Sequence, residues 1–293
     1  MKKTAIILSA VMLAGVMLGA CAPKTTVPLT SQTEVDEKLS YDYDVKEIWC
    51  ENNGKKIYGK AYVPKTDGKS PLVITSHGLG ANHESGESYA EKYAPKGFAV
   101  YTFDFCGGSN DNNENRSDGS PSEMSVMTEV SDLEAVLDTA KTWDFADSSH
   151  IYLQGGSQGG LVTAITGVKH QDEIAGMILL YPAFGMVDFV RMYDVDDLPD
   201  EIRVASMTVG KNFVTDLRDY DVRDDLSTFT KPVLILQGSA DDIVLPEVTK
   251  AAAELLSDVE YHIIEGADHG FSGKYHDEAS ELAEKFLYKH IVK

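Results

Sequence analysis

The chain has 293 residues, 43% of them hydrophobic, which is enough for a substantial core and argues against a disordered polymer. Its 47 acidic residues against 26 basic ones give a formal net charge of −21, with no lysine or arginine stripe to offset it. A surface of that sign repels phosphates, so no nucleic-acid partner is expected.

Lys2 and Lys3 precede the apolar run 4–20, "TAIILSAVMLAGVMLGA", in the charged-then-apolar layout of a secretory signal. The run is short for a membrane span, which needs about 20 apolar residues, and it ends in small ones. Leu18-Gly19-Ala20-Cys21 resembles the bacterial lipobox. That resemblance implies cleavage before Cys21 and a diacylglyceryl group on its sulfur. The protein would then be lipid-anchored on the extracytoplasmic face of the cell membrane. A plain secretory signal cut near Ala20 is the alternative. Residues 1–20 therefore read as a lipoprotein signal peptide. Residues 21–40 lack apolar periodicity and read as a polar tether, which leaves 41–293 for the folded domain.

After the tether, "VKEIWCENNGKKIYGKAYVP" predicts a β-hairpin with its turn at Asn53-Gly54. Strands are then expected at 71–78 ("PLVITSHG") and 98–105 ("FAVYTFDF"), with a helix around 89–94 between them. Val126, Val130, Leu133, Leu137 and Ala140 share one helical face. "IYLQGG" is a strand entering a glycine-rich turn, and "LVTAITGVKH" leaves that turn as a helix. "GMILLYPA", "PVLILQGSADD" and "VEYHIIEGADH" complete the strands, and the last helix turns Ala279, Leu282, Ala283, Phe286 and Leu287 inward. Short apolar strands alternating with helices predict an α/β fold, with a mostly parallel central sheet covered by helices on both faces. Residues 184–229 break the rhythm with no convincing core strand, and read as an inserted lid.

The chemistry gathers at strand ends. In "GGSQGG" (155–160), Gly155-x-Ser157-x-Gly159 fits the strand-to-helix elbow that presents a nucleophilic serine, although a plain glycine turn has the same composition. A serine needs a histidine to take its proton and a carboxylate to orient that histidine. Asp241 in "LQGSADDIV" and His269 in "IIEGADHGF" each follow a strand, in the order Ser, Asp, His that suits this fold. Asp242 is the alternative acid, and a structural cap is the alternative role for His269. The carboxyl ends of parallel strands share one edge, so the three residues converge there. The oxyanion donors are expected to be the backbone N–H groups of Gln158 and of Leu79, the latter in "HGLG" (77–80). His77 reads as a loop-fixing residue.

Together "SHGLG", "FDFCGGS", "GGSQGG", "FTKPVLILQGSADDIV" and "GADHGF" resemble the α/β-hydrolase superfamily, and within it the bacterial feruloyl/cinnamoyl esterase branch. The likeness runs from about Asp44 to the C-terminus. It implies a serine carboxylesterase with a lid over its acyl pocket, a small-molecule ester as substrate, and no cofactor. It also implies that Asp188 and Tyr220 of the lid stand where that family grips a phenol, although both residues could equally face water. A peptidase, a thioesterase or a lipid acyl hydrolase would use the same triad, and a ligand-binding lipoprotein is the non-catalytic alternative.

Other signals are weaker. "DNNENRSDG" (111–119) begins like a calcium loop, but Arg116 occupies the glycine position and no closing glutamate follows, so no metal is expected. Met192 and Tyr193 could line an acyl pocket or pack the lid. Cys50 and Cys106 could pair in an exported protein, though strand-like surroundings favour free, buried thiols.

Overall fold

The computed structural model describes residues 40–110 and 113–291. The signal, the lipidation at Cys21 and most of the tether lie outside the described residues. The hairpin forms as β1 (Tyr43–Asn52) and β2 (Lys55–Pro64). Asn53 and Gly54 adopt φ of 51° and 81°, the left-handed pair that a two-residue hairpin turn requires.

The chain continues through β3 (Ser70–Ser76), α1 (Glu84–Tyr93), β4 (Ala99–Phe103), α2 (Val126–Ala140), β5 (Ala146–Gly156), α3 (Gln158–Lys169) and β6 (Gly176–Leu180). Then come α4 (Met186–Arg191), β7 (Glu201–Val204), β8 (Met207–Gly210), α5 (Asn212–Thr215), β9 (Val233–Gly238), α6 (Pro246–Ala253), β10 (Val259–Ile264) and α7 (Lys274–Ile291). Eight strands form one sheet in the order β1-β2-β4-β3-β5-β6-β9-β10. The pairs β1–β2 and β2–β4 are antiparallel, and all later pairs are parallel. The chain leaves β3 for β4 on one side and returns through α2 to β5 on the other. That reversal opens a crevice at the carboxyl ends of β3 and β5.

Both faces of the sheet are covered, which explains why β4, β6 and β9 are buried along their whole length. Alternate residues point to opposite faces. Val73 and Tyr152 meet Tyr89, Ala90 and Tyr93 of α1 and Ala279, Ala283, Phe286 and Leu287 of α7. Leu72, Ile74 and Leu153 meet Val130, Leu133 and Leu137 of α2 and Leu161, Val162 and Ile165 of α3. Helix α2 starts at a capping box in which Ser125 Oγ accepts from Thr128 N–H, and Thr128 Oγ1 accepts from Ser125 N–H.

Residues 184–229 add no strand to the main sheet. Their two short strands, β7 and β8, pair only with each other. Ile202, Met207, Val209, Phe213, Val214, Leu217 and Val222 are buried and join the core on the α2/α3 face. Ser125 Oγ also donates to Asp216 at 2.8 Å, tying this segment to the start of α2. Met192 is two-thirds exposed, and Tyr193 packs edge-on against Phe189. Cys50 and Cys106 are free and buried, and burial pushes both thiols up.

Candidate active site

Ser157 sits between the last residue of β5 and the first of α3, with φ 54° and ψ −121°. A non-glycine residue held there stores roughly 1–3 kcal/mol of strain, which the surrounding packing must hold in place. The glycines of the motif are what allow it. A Cβ at Gly155 would come within 2.2 Å of the Gly159 carbonyl oxygen, and one at Gly159 within 2.3 Å of that of Ser76. The turn is therefore too tight for any other residue at either place.

His269, on the loop after β10, brings Nε2 to 2.9 Å from Ser157 Oγ, and its Nδ1 lies 2.9 Å from Asp241 Oδ2. Asp241 follows β9 and is 3% exposed. Its Oδ1 accepts from the N–H groups of Ile243 and Val244, and its Oδ2 also accepts from Gln237 Nε2 at 3.1 Å. Burial alone would raise this carboxyl, but the bond from His269 and the two N–H donors outweigh it and hold the group below the usual aspartate range. Asp242 is exposed and makes no bond to His269. Of the two adjacent carboxylates, Asp241 is the one that contacts His269.

The loop after β3 runs beside the elbow. A Cβ on Gly78 would lie 3.4 Å from both Ser157 Cβ and the Gly156 carbonyl oxygen. Among the described residues, neither Leu79 N–H nor Gln158 N–H donates to any protein group. Two unengaged donors, one on the residue after Ser157 and one on the loop beside the elbow, are what a developing oxyanion needs. His77 is buried, with Nδ1 2.8 Å from the Gly78 carbonyl, while its Nε2 accepts from Phe105 N–H at 3.1 Å. Both ring nitrogens serve the backbone, which fits loop fixing, and burial lowers the imidazole's proton affinity. The same loop is stitched to residues 105–117 by Gly80 N–H to Gly108 O, Asn113 Nδ2 to Gly80 O, and Ser109 Oγ to Ala81 O.

The two lid residues are both hydrogen-bonded within the lid. Asp188 receives both terminal nitrogens of Arg223, at 2.8 and 2.9 Å, and Arg223 is also held by Asp221. The Tyr220 hydroxyl donates to Asp225 Oδ2 at 3.1 Å, and burial followed by that carboxylate pushes it up to about 12. Each polar end is already engaged within the lid, where aspartate is abundant. Arg116, at the glycine position of the calcium-loop likeness, donates to Glu47 and lies 3.7 Å over the Tyr58 ring.

Three residues near the site carry no motif signal. The ring of Tyr181, at φ 38° just past β6, stands edge-on to His269 with centroids 4.7 Å apart. Gln237 is a polar residue inside an apolar strand, a readable hint, and it braces Asp241. Glu129 falls one residue outside the apolar face read for α2, yet it is buried and accepts from Gln158 Nε2 at 2.8 Å.

The family model described as the prolyl oligopeptidase family matches residues 86–293. Among solved structures, Est1E from Butyrivibrio proteoclasticus with ferulic acid bound is 26% identical with a TM-score of 0.77, covering 84% of this chain and 100% of that one. An esterase from Exiguobacterium antarcticum is 18% identical with a TM-score of 0.63, covering 83% of this chain and 100% of the other, a likeness of fold. The quorum-quenching protein AidA of Acinetobacter baumannii is 24% identical over 116 residues. That match spans 39% of this chain and only 36% of the relative's length.

Proposed function

Because the chain belongs to the prolyl oligopeptidase family and is a serine hydrolase of α/β-hydrolase fold, we propose that it hydrolyses small carboxylic esters through Ser157, His269 and Asp241. The observation that carries this reading is the unbroken relay Ser157 Oγ–His269 Nε2 and His269 Nδ1–Asp241 Oδ2, each step 2.9 Å. Its likeness to Est1E, solved with ferulic acid bound and matched over 84% of this chain, favours an acyl ester over other acyl compounds.

Ser157 Oγ attacks the acyl carbon while His269 Nε2 takes its proton. Asp241 keeps Nδ1–H pointed away from the serine and stabilises the imidazolium. The carbonyl oxygen, now carrying the negative charge, accepts from the N–H groups of Leu79 and Gln158. The intermediate then collapses, and the leaving alcohol takes the proton from His269. Water enters, His269 removes its proton, and the hydroxide displaces Ser157 from the acyl group. His269 returns that proton to Ser157 Oγ as the acyl bond breaks, and the acid leaves.

The family's description favours a second reading, peptide hydrolysis on the same triad. A fluorophosphonate probe followed by a panel of p-nitrophenyl esters and aminoacyl anilides tests both. Labelling that Ser157→Ala abolishes, with turnover of esters and not of anilides, is the expected result. Turnover of anilides alone would replace ester hydrolysis with peptide hydrolysis. An unlabelled wild type would remove the enzyme reading altogether. The lipobox resemblance further supports placing this activity on the outer face of the cell membrane, held there through Cys21.

A further inference from the structure

Glu129 is a carboxyl side chain on α2, 1% exposed, and among the described residues no cation forms an ion pair with it. Its one bond is to the residue that directly follows Ser157. Gln158 Nε2 donates to Glu129 Oε2 at 2.8 Å and approaches Met124 Sδ at 3.8 Å. Two oxygens are left over: Glu129 Oε1 and Gln158 Oε1 are both buried without a hydrogen-bond partner. An acceptor-only carboxylate cannot satisfy an amide oxygen, but a carboxylic acid can, because its O–H donates.

We propose that Glu129 is carried as the neutral acid and closes a two-bond ring with the Gln158 side-chain amide. That ring makes Glu129 the positioning residue that holds the Gln158 backbone N–H on the acyl oxygen. The amide N–H donates to the acid's carbonyl oxygen, and the acid's O–H donates to the amide oxygen, so both left-over atoms are used. Gln158 is buried and is the first residue of α3, so fixing its side chain fixes the orientation of its backbone N–H. Neutrality also matters for the chemistry. An ionised carboxylate behind the elbow would oppose the negative charge that the acyl oxygen gains. Burial drives Glu129 well above the usual glutamate range, and the nearby carboxylate of Asp132 pushes the same way. His77, on the loop after β3, also stands on this side, and burial lowers its proton affinity.

The proposal rests on the ester-hydrolase reading of the site, and the test separates the two. Glu129→Met keeps the volume and deletes both bonds, whereas Glu129→Gln can make both without a proton. Removing an oxyanion donor costs 10²–10³ in kcat, so misaiming one is expected to cost about tenfold. Glu129→Met should lower kcat for p-nitrophenyl butyrate about tenfold with KM within about twofold, and fluorophosphonate should still label Ser157. Glu129→Gln should restore kcat to within about twofold of wild type. Independently of activity, isotope-edited infrared spectroscopy of the full chain at neutral pH should show the carbonyl stretch of a carboxylic acid that disappears in Glu129→Gln. That band decides the proton even where Glu129→Met fails to fold. Wild-type kcat in Glu129→Met, equal damage in both variants, or an ionised Glu129 by infrared would each overturn the proposal. A wild type that fluorophosphonate does not label would sink the hydrolase reading, while the infrared band would still decide the acid–amide pair.

Discussion

His269 Nδ1 lies 2.9 Å from Asp241 Oδ2, while the adjacent carboxylate of Asp242 is exposed and makes no bond to the histidine. Two neighbouring aspartates therefore have separable roles. Asp241→Asn removes the acceptor that selects the productive histidine tautomer, and kcat should fall by about three to four orders of magnitude. Asp242→Asn should leave kcat within about twofold of wild type, as surface changes do. Steady-state turnover of one p-nitrophenyl ester by both variants is the measurement. The reverse ranking would assign the acid to Asp242.

The parts of the site that could be read from sequence are those whose chemistry is local. Gly155 and Gly159 announce the elbow because nothing larger fits within 2.2–2.3 Å of facing backbone oxygens. Asp241 and His269 announce themselves because each follows a strand of the parallel part of the sheet. The β7–β8 hairpin gave no such notice: its turn runs through Ala205 at φ 46°, with no glycine or asparagine at that position. Tyr181 and Glu129 were hidden for a related reason. Their roles depend on which distant loop packs beside them, and neither a strand-end tyrosine nor a lone glutamate on a helix encodes that. The pairing of Asp188 with Arg223 spans 35 positions in a segment crowded with aspartates, so sequence could not choose its partner.

That pairing changes what to expect of flat aromatic acyl groups. Asp188 already accepts two charge-assisted bonds from Arg223, and the Tyr220 hydroxyl already donates to Asp225, so a para-hydroxyl would compete with bonds in place. Wild-type kcat/KM for p-coumaroyl and cinnamoyl esters should therefore agree within about twofold. A preference for the phenol of tenfold or more, ~1.4 kcal/mol, would mean that substrate displaces Arg223. Loss of that preference in Asp188→Ala would then identify the residue.

Lipidation is tested on the intact cell product. Two acyl chains on one cysteine are about what stable anchoring needs, so the mature protein should partition with membranes. Mass spectrometry should find an N-terminal Cys21 carrying diacylglycerol. Cys21→Ser should leave the signal uncleaved at that site and the cysteine-linked lipid absent. A mature chain starting at an unmodified Cys21 would refute the anchor.

Asp104, fully buried just past β4, makes stability depend on pH. Its Oδ1 lies 2.7 Å from His83 Nδ1 and accepts from His83 N–H at 2.7 Å, while its Oδ2 accepts from Arg116 N–H at 2.9 Å. Burial alone would raise the carboxyl, but the His83 ring and the two backbone donors outweigh it and leave it below the ordinary aspartate value. A folded-state pKa below the unfolded one means that the unfolded chain binds more protons in that interval, so stability rises with pH there. The contribution is fully present above the unfolded value, about 3.9, and is lost as pH falls through the lower folded value. Asp104→Asn keeps the volume but removes the charge on which three donors converge, and should cost about 3 kcal/mol of stability at pH 7. The same variant should lose less stability than wild type on going below pH 4, because it has no proton to take up at this position. Urea unfolding of both proteins at pH 7, 4 and 3 checks the two halves together, and parallel pH profiles would show that Asp104 does not govern the acid limb.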